Sequence, residues 1–266
     1  MDDQQFRQLL KYFGLSWEGY RKVRKGVKKR VSRHMHLLGC QDVSAYMLEL
    51  DRSHKKRHEC ELLMTVSISR FFRDRKLWEV LQTEILPGLI EKRVKKIRVW
   101  SAGCASGEEV YTLKILWDGL AASNPHLPEL EITATDINPI YLKRARAGVY
   151  PSSSLKEVPE GFRSVYFEAQ AGTRLYAIRT SMKNGVIWQV GHLLYDQPDS
   201  QFDLIFLRNN LLTYYLDEFK KPALGKVLSH LLTGGFLILG SHEKLPPNGF
   251  GLFPTGSLSY VLKKLD

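Results

Sequence analysis

Apolar positions in the first 70 residues recur with the period of an α-helix. Tyr20, Val23, Val27, Val31, Met35 and Leu38 fall on one helical face, and Gly39 follows as a natural C-terminal stop. A second short helix is predicted from Asp42 to about Leu50. Beyond residue 90 the pattern changes to short apolar runs alternating with amphipathic stretches. Strands are predicted over Ile97–Trp100, Ile132–Thr135, Val186–Val190, Phe202–Leu207 and Phe236–Leu239, and helices over Glu108–Leu120, Tyr141–Ala147 and Phe219–Leu232. Such alternation implies a mostly parallel sheet covered on both faces. From about Tyr166 to Trp188 the chain reads instead as short strands, with Arg174–Ile178 the clearest. A small antiparallel insertion is expected there, and Ser257–Leu262 reads as a last strand.

Composition changes this picture in one respect. The chain has 266 residues, 44% hydrophobic and 25% charged, which is ordinary for a globular protein. Its formal charge, however, is +11, from 39 Lys+Arg against 28 Asp+Glu. Residues 1–60 hold 14 of the cations and 7 of the anions, so the N-terminal quarter carries +7 and the remainder +4. An anionic partner is expected. Arg21, Lys22, Arg24, Lys25, Lys28, Lys29, Arg30 and Arg33 lie opposite the apolar face of the first long helix. Three cysteines, Cys40, Cys60 and Cys104, form neither a disulfide framework nor a zinc pattern, and the histidines show no metal-ligand spacing. No metal is expected. The opening MDDQQFRQLL lacks the features of a secretory leader, and no apolar run approaches the ~18 residues of a membrane span. A cytoplasmic location is the expectation.

Four segments could carry chemistry. Val99-Trp100-Ser101-Ala102-Gly103-Cys104-Ala105-Ser106-Gly107-Glu108-Glu109 reads as strand, small-residue turn and helix start, at the sheet edge where ligands bind. Glu108 and Glu109 stand where a dinucleotide site would hold a pyrophosphate. They suit a cation, such as the amino or sulfonium group of S-adenosylmethionine. The plainer reading is that they complement the helix dipole. Asp136, in Ala134-Thr135-Asp136-Ile137-Asn138, follows the second strand and could accept hydrogen bonds from a ribose diol or cap the next helix. Thr65-Val66-Ser67-Ile68-Ser69-Arg70-Phe71-Phe72-Arg73-Asp74 combines hydroxyls, an aromatic pair and arginines; its bland reading is an N-cap at Ser69 with the phenylalanines in the core. Phe202 to Leu212 ends an apolar strand in Arg208-Asn209, polar groups that need partners if buried. Arg93, ahead of the first strand, is a candidate for a substrate entrance.

Taken in order, SISRFFRD, RVWSAGCASGEE, ATDIN, FDLIFLRNNLL and GGFLILGSHE resemble the CheR family of chemotaxis protein methyltransferases over nearly the whole chain. The resemblance implies an α/β protein, a Rossmann-like class I S-adenosylmethionine-dependent methyltransferase fold with an N-terminal all-α domain and a small antiparallel β insertion. The expected divisions are a basic helical substrate-docking domain at 1–73, a methyltransferase domain at 74–266, and a β-subdomain at about 163–188. The implied activity is methyl transfer from S-adenosyl-L-methionine to glutamate carboxylates of a chemoreceptor or similar acidic helical protein, leaving S-adenosyl-L-homocysteine.

Carried over by position, the family's cofactor contacts fall on Ser67, Ser69, Arg73, Glu108, Asp136, His192, Leu193, Arg208 and Asn209. Ser67 and His192 stand where the family usually has Asn, and both retain hydrogen-bonding capacity. The family's Tyr near the reacting methyl falls on Thr213, which leaves Tyr214, with Arg73, as the catalytic candidates. Thr213 also motivates an alternative, a non-catalytic or altered-specificity CheR-like S-adenosylmethionine-binding interaction module. A nucleic-acid methyltransferase is disfavoured, because Arg208-Asn209-Asn210-Leu211 replaces the (D/N)PP(Y/F) motif of amino-methylating DNA enzymes. A monomer that docks an acidic protein helix through its basic helix, without membrane insertion, is the expected working form.

Overall fold

The computed structural model describes residues 1–265 apart from Arg93, Ala122, Ser123, Pro125 and 247–249. Arg93, the candidate for a substrate entrance, therefore lies outside the described residues. The chain forms two compact units, one of Met1–Ser67 with Asn209–Leu224, the other of Ile68–Arg208 with Gly225–Asp266. The first boundary falls six residues before the expected 73, because Phe71 and Phe72 are buried in the core of the α/β unit.

The helical unit contains helices Asp3–Tyr12, Trp17–Tyr20, Arg24–Leu37, Val43–Asp51 and His54–Met64. The long helix begins at Arg24, so Tyr20 and Val23 lie outside it. Tyr20 belongs to the preceding turn, and its buried hydroxyl donates to the carbonyl of Met64. Val27, Val31 and Met35 keep the expected inward face and pack with Phe6, Leu9, Leu10, Tyr46 and Leu50. Asp42 caps the next helix through the amide of Ala45. Residues 211–216 return to this unit. Ser16 N donates to Tyr214 O at 2.7 Å, Leu216 N to Gly14 O at 2.9 Å, and the Tyr214 ring meets Tyr20 edge-on at 5.0 Å.

The α/β unit holds ten strands: β1 Lys96–Ala102, β2 Glu129–Asp136, β3 Val149–Pro151, β4 Phe167–Ala169, β5 Leu175–Ile178, β6 Val186–Val190, β7 Phe202–Leu207, β8 Leu231–Leu239, β9 Leu252–Thr255 and β10 Leu258–Lys264. Seven form one sheet in the order β6-β2-β1-β7-β8-β10-β9. The first five of that row are parallel, and β10 and β9 close the edge antiparallel. From β1 the chain moves outward to β2 and β6, then crosses back to β7 and β8. The reversal between β1 and β7 is a topological switch point, where open sheets of this kind bind ligands. Val99, Ile132, Ala134, Leu204, Phe206 and Ile238 bury one face against the helix Glu108–Ala121 and the helical stretch from Arg75 to Ile90.

Two expectations change. Leu231 and Leu232, read as the end of a helix, begin β8, and the preceding helix stops at Ser229. Their apolar spacing continues the helical period, but Leu231 pairs with Phe202 of β7. The small antiparallel sheet is β3-β5-β4, so it begins at Val149 rather than 163. Val186–Val190 lies outside it, pairing with β2 in the main sheet. β3 is too short, and too far from β4 in sequence, for periodicity to join them.

The returning segment leaves no room at Gly19, where a Cβ would stand 2.2 Å from the carbonyl oxygen of Thr213. Gly19→Ala should therefore cost about 1–3 kcal/mol in denaturant unfolding, as overpacking against backbone does. An unchanged midpoint would show that the 211–216 segment is not held on this helix.

Candidate functional site

Within the α/β unit, the expected site residues gather at the carboxyl ends of β1, β2, β6 and β7. The turn after β1 brings Gly103 to φ 85°, Ala105 to φ 50° and Gly107 to φ 87°. A left-handed alanine is strained, and it is held by its amide, which donates to Asp136 Oδ2 at 2.9 Å. The other oxygen of Asp136 accepts from Asn138 N at 2.8 Å. The carboxylate is thus fixed at the end of β2 with a lone pair on each oxygen still able to accept a hydroxyl. Burial pushes its pKa up, against the opposing effect of those two amides.

Glu108 begins the helix after the turn and is only 4% exposed. Burial is the largest influence on its carboxyl and raises the pKa, while its own amide and the hydroxyls of Ser69 and Ser154 act the other way. Its Oε2 has no hydrogen-bond partner among the described residues. A buried carboxylate oxygen facing no donor favours a cation beside it. Ser69 is accordingly a contact of Glu108 rather than a helix cap. Ser154, which sequence reasoning missed, shares that role; it lies in the serine run Ser152-Ser153-Ser154, which resembles an ordinary loop.

Glu109 faces another partner. Its Oε2 accepts from Arg208 Nη1 at 2.8 Å and its Oε1 from Ser101 Oγ at 2.9 Å. Arg208 also donates through Nη2 to Asp74 Oδ2, and its side chain is 6% exposed. The end of β7 is therefore fastened to the first turn of the helix after β1. Arg73 turns its guanidinium back onto Ile68 O at 2.6 Å, closing its own loop.

His192 is buried after β6, where Gly191 N donates to Asp136 O at 3.1 Å. Its backbone amide donates to Asp196 Oδ2 at 2.9 Å, and its Nδ1 accepts from Leu194 N at 3.1 Å, which makes Nε2 the protonated nitrogen of the neutral ring. Leu193 beside it is half-buried. A cavity of about 380 Å³ borders Thr135, Gly191 and Asp196, and none of the candidate residues lines it.

Ser67, Asn209 and Tyr214 belong to the helical unit. Asn209 has φ 54°, a left-handed residue directly after Arg208. Tyr214, expected beside the reacting methyl, has its ring engaged by Tyr20 in the helical core.

The family model described as "CheR methyltransferase, SAM binding domain" matches residues 67–256, well over half of the chain. The chain belongs to the CheR methyltransferase family. Among curated relatives, the "Chemotaxis protein methyltransferase" of Listeria innocua is 36% identical over 200 residues, covering 75% of this chain and 74% of the relative. The protein of the same name from Borreliella burgdorferi is 30% identical over 230 residues, 84% and 81% of the two chains. "Chemotaxis protein methyltransferase 1" of Pseudomonas aeruginosa is 33% identical over 190 residues, 68% of each. The fold is thus the Rossmann-like one of class I methyltransferases, and the cofactor of this CheR-family methyltransferase is S-adenosylmethionine.

The residues present fit that cofactor. Its cationic end suits the orphaned Oε2 of Glu108, and its ribose hydroxyls suit the two fixed oxygens of Asp136. When bound, S-adenosylmethionine supplies a methyl group activated by its sulfonium and leaves as S-adenosylhomocysteine.

Because burial raises Glu108 above the usual ~4.3, the folded protein keeps a proton that the unfolded chain releases. Between those two pKa values the stability of the cofactor-free protein falls as pH rises. Cofactor binding has the opposite slope, since a cation favours the ionised form. Calorimetry with S-adenosylhomocysteine should show affinity climbing with pH above that ordinary value and then levelling. Glu108→Gln should bind about tenfold more weakly or worse with a shallower slope, the remainder coming from Asp136. Wild-type affinity and slope in that variant would remove Glu108 from the cofactor site.

Proposed function

We propose that this CheR-family methyltransferase esterifies glutamate side chains of a chemoreceptor or a similar acidic helical protein. The substrate reading rests on a stripe of cations on the helix Arg24–Leu37. Lys25, Lys29 and Arg33, spaced four apart, are exposed on one face. An acidic helix is the complementary partner. The relatives' names, chemotaxis protein methyltransferases, point to the same substrate class.

Glutamate fits the chemistry of the site. A free Glu has a pKa near ~4.3, so it is already a nucleophile at neutral pH and requires no general base. The chain's task is then to hold two groups in line, and alignment supplies several kcal/mol of the barrier. Glu108 and Asp136, with Ser67, Ser69, Arg73, His192, Leu193, Arg208 and Asn209, are assigned to cofactor binding, and Arg73 also to the catalytic step. Arg73 organises the loop that carries Ser69. Tyr214 is assigned a catalytic hydroxyl.

Incubation with radiolabelled S-adenosylmethionine and receptor cytoplasmic fragments should yield methyl esters that release methanol in base. No transfer at saturating cofactor would overturn the substrate assignment. Tyr214→Phe keeps the ring packing on Tyr20, and transfer should slow at least about tenfold while affinity for S-adenosylhomocysteine is kept. An unchanged rate would return Tyr214 to a purely structural role.

Charge reversal at Lys25, Lys29 and Arg33 should weaken receptor-fragment affinity and leave affinity for S-adenosylhomocysteine intact. Lys28 is left in place, since its ammonium pairs with Asp3 at 2.7 Å inside the helical unit. Parallel loss of both affinities would mean that the stripe is structural.

A further inference from the structure

Residues 68–74 form a strap across the start of the helix Glu108–Ala121, and its backbone is held in unfavourable conformations. Phe72 has φ 53° and Asp74 φ 64°. An aromatic residue in the left-handed region is a genuine outlier. Arg70 pairs with Glu157 at 3.4 Å, and Arg73 O accepts from Trp78 Nε1 at 2.8 Å and from Arg208 Nη2 at 3.5 Å. Three further contacts hold the strap down. Phe71 N donates to Ser154 O at 3.1 Å. Phe72 N donates to Thr112 Oγ1 at 3.2 Å, and that hydroxyl in turn donates to Glu108 O at 2.7 Å. Asp74 accepts from Arg208.

Asp74 immediately precedes the helix Arg75–Val80, so by residue type it reads as an N-cap. Its side chain makes no capping bond, and its backbone is left-handed rather than extended. The carboxylate is directed instead at Arg208, which already has a carboxylate partner in Glu109. Arg208 is therefore neutralised without Asp74. What the second carboxylate adds is a charged attachment of the strap, and with it Ser69, to the end of β7, beside the longer bond from Arg208 Nη2 to Arg73 O at 3.5 Å.

We propose that Asp74 is a positioning residue for cofactor binding: through Arg208 it latches the strap that sets Ser69 against the buried carboxylate of Glu108. It touches neither cofactor nor substrate. Its effect is the pre-organisation of groups that do. The assignment is independent of which protein is methylated.

The left-handed backbone makes the test selective. Asp74→Gly is at ease at φ 64° and removes only the carboxylate, whereas Asp74→Asn tolerates the same backbone and keeps an acceptor for Arg208 without the charge. Affinity for S-adenosylhomocysteine would be measured by calorimetry, and exchange of the strap amides by hydrogen–deuterium exchange. The Gly variant should melt near the wild-type temperature, bind about ten- to a hundredfold more weakly, and exchange the Phe72 amide faster. The Asn variant should recover part of both. Wild-type affinity in the Gly variant would overturn the proposal, as would a Gly variant that fails to fold beside an Asn variant that binds like wild type. In that second case the residue serves the turn alone.

Discussion

A carboxylate almost removed from water at the first turn of a helix is the constraint around which the α/β unit is arranged. Burying an ionised group is costly unless it is paired and hydrogen-bonded. Glu108 is partly compensated by the positive end of its helix and by the hydroxyls of Ser69 and Ser154. These two serines come from segments far apart in sequence, which meet through the amide of Phe71 on the carbonyl of Ser154. The compensation is incomplete, because one oxygen has no hydrogen-bond partner among the described residues and the pKa stays raised. A cationic ligand placed there would complete it, which is why Glu108 is proposed as a cofactor contact. On that proposal, the feature that costs stability in the free protein is the one that favours a cationic cofactor over a diphosphate.

The strained positions follow the same logic. Among the described residues, the non-glycine residues with positive φ are Phe72, Asp74, Ala105 and Asn209. Two lie in the strap, one in the turn after β1 and one two residues past β7. Such conformations cost of order ~1–3 kcal/mol each and persist only where the surroundings over-determine them. For three of them the determining bond is known: Phe72 to Thr112, Asp74 to Arg208, Ala105 to Asp136. The large apolar core of the α/β unit, from Leu77 and Trp78 through Leu204 and Phe206, supplies the stability that tolerates the strain at Phe72, Asp74 and Ala105.

Much of this arrangement was legible in the chain, and the reason differs by part. The central strands were readable because parallel strands buried on both faces are short apolar runs. Phe202–Leu207, buried throughout, matches its expected bounds. Glu108 and Asp136 could be located as candidates because they sit at fixed offsets from strand ends. Long-range joins were not legible. β3 joins β5 across two helical segments and β4, and the 209–224 segment joins helices some two hundred residues earlier, with no local signal in either case. Asp74 was misleading for a related reason: its neighbours in sequence suggest a cap, while its partner is 134 residues away. Periodicity reports which face of an element is buried, not which distant side chain meets it.

The positive charge of the N-terminal quarter illustrates the same distinction. On sequence, the cations from Arg21 to Arg33 form one basic face. In three dimensions Arg21 and Lys22 precede the long helix, and the six cations on it divide into two sets. Arg24 and Lys28 close on Asp3, and Arg30 donates to the carbonyls of Leu63 and Thr65, so these three tie the long helix to its neighbours. Lys25, Lys29 and Arg33 remain on the solvent face. Exposed pairs contribute little to stability, so the second set has no evident part in holding the fold, whereas long-range attraction for an acidic partner needs only that such charges be exposed and of one sign. The fraction of the net charge that can guide docking is therefore the part the fold leaves unpaired, smaller than the formal total and concentrated in one stripe.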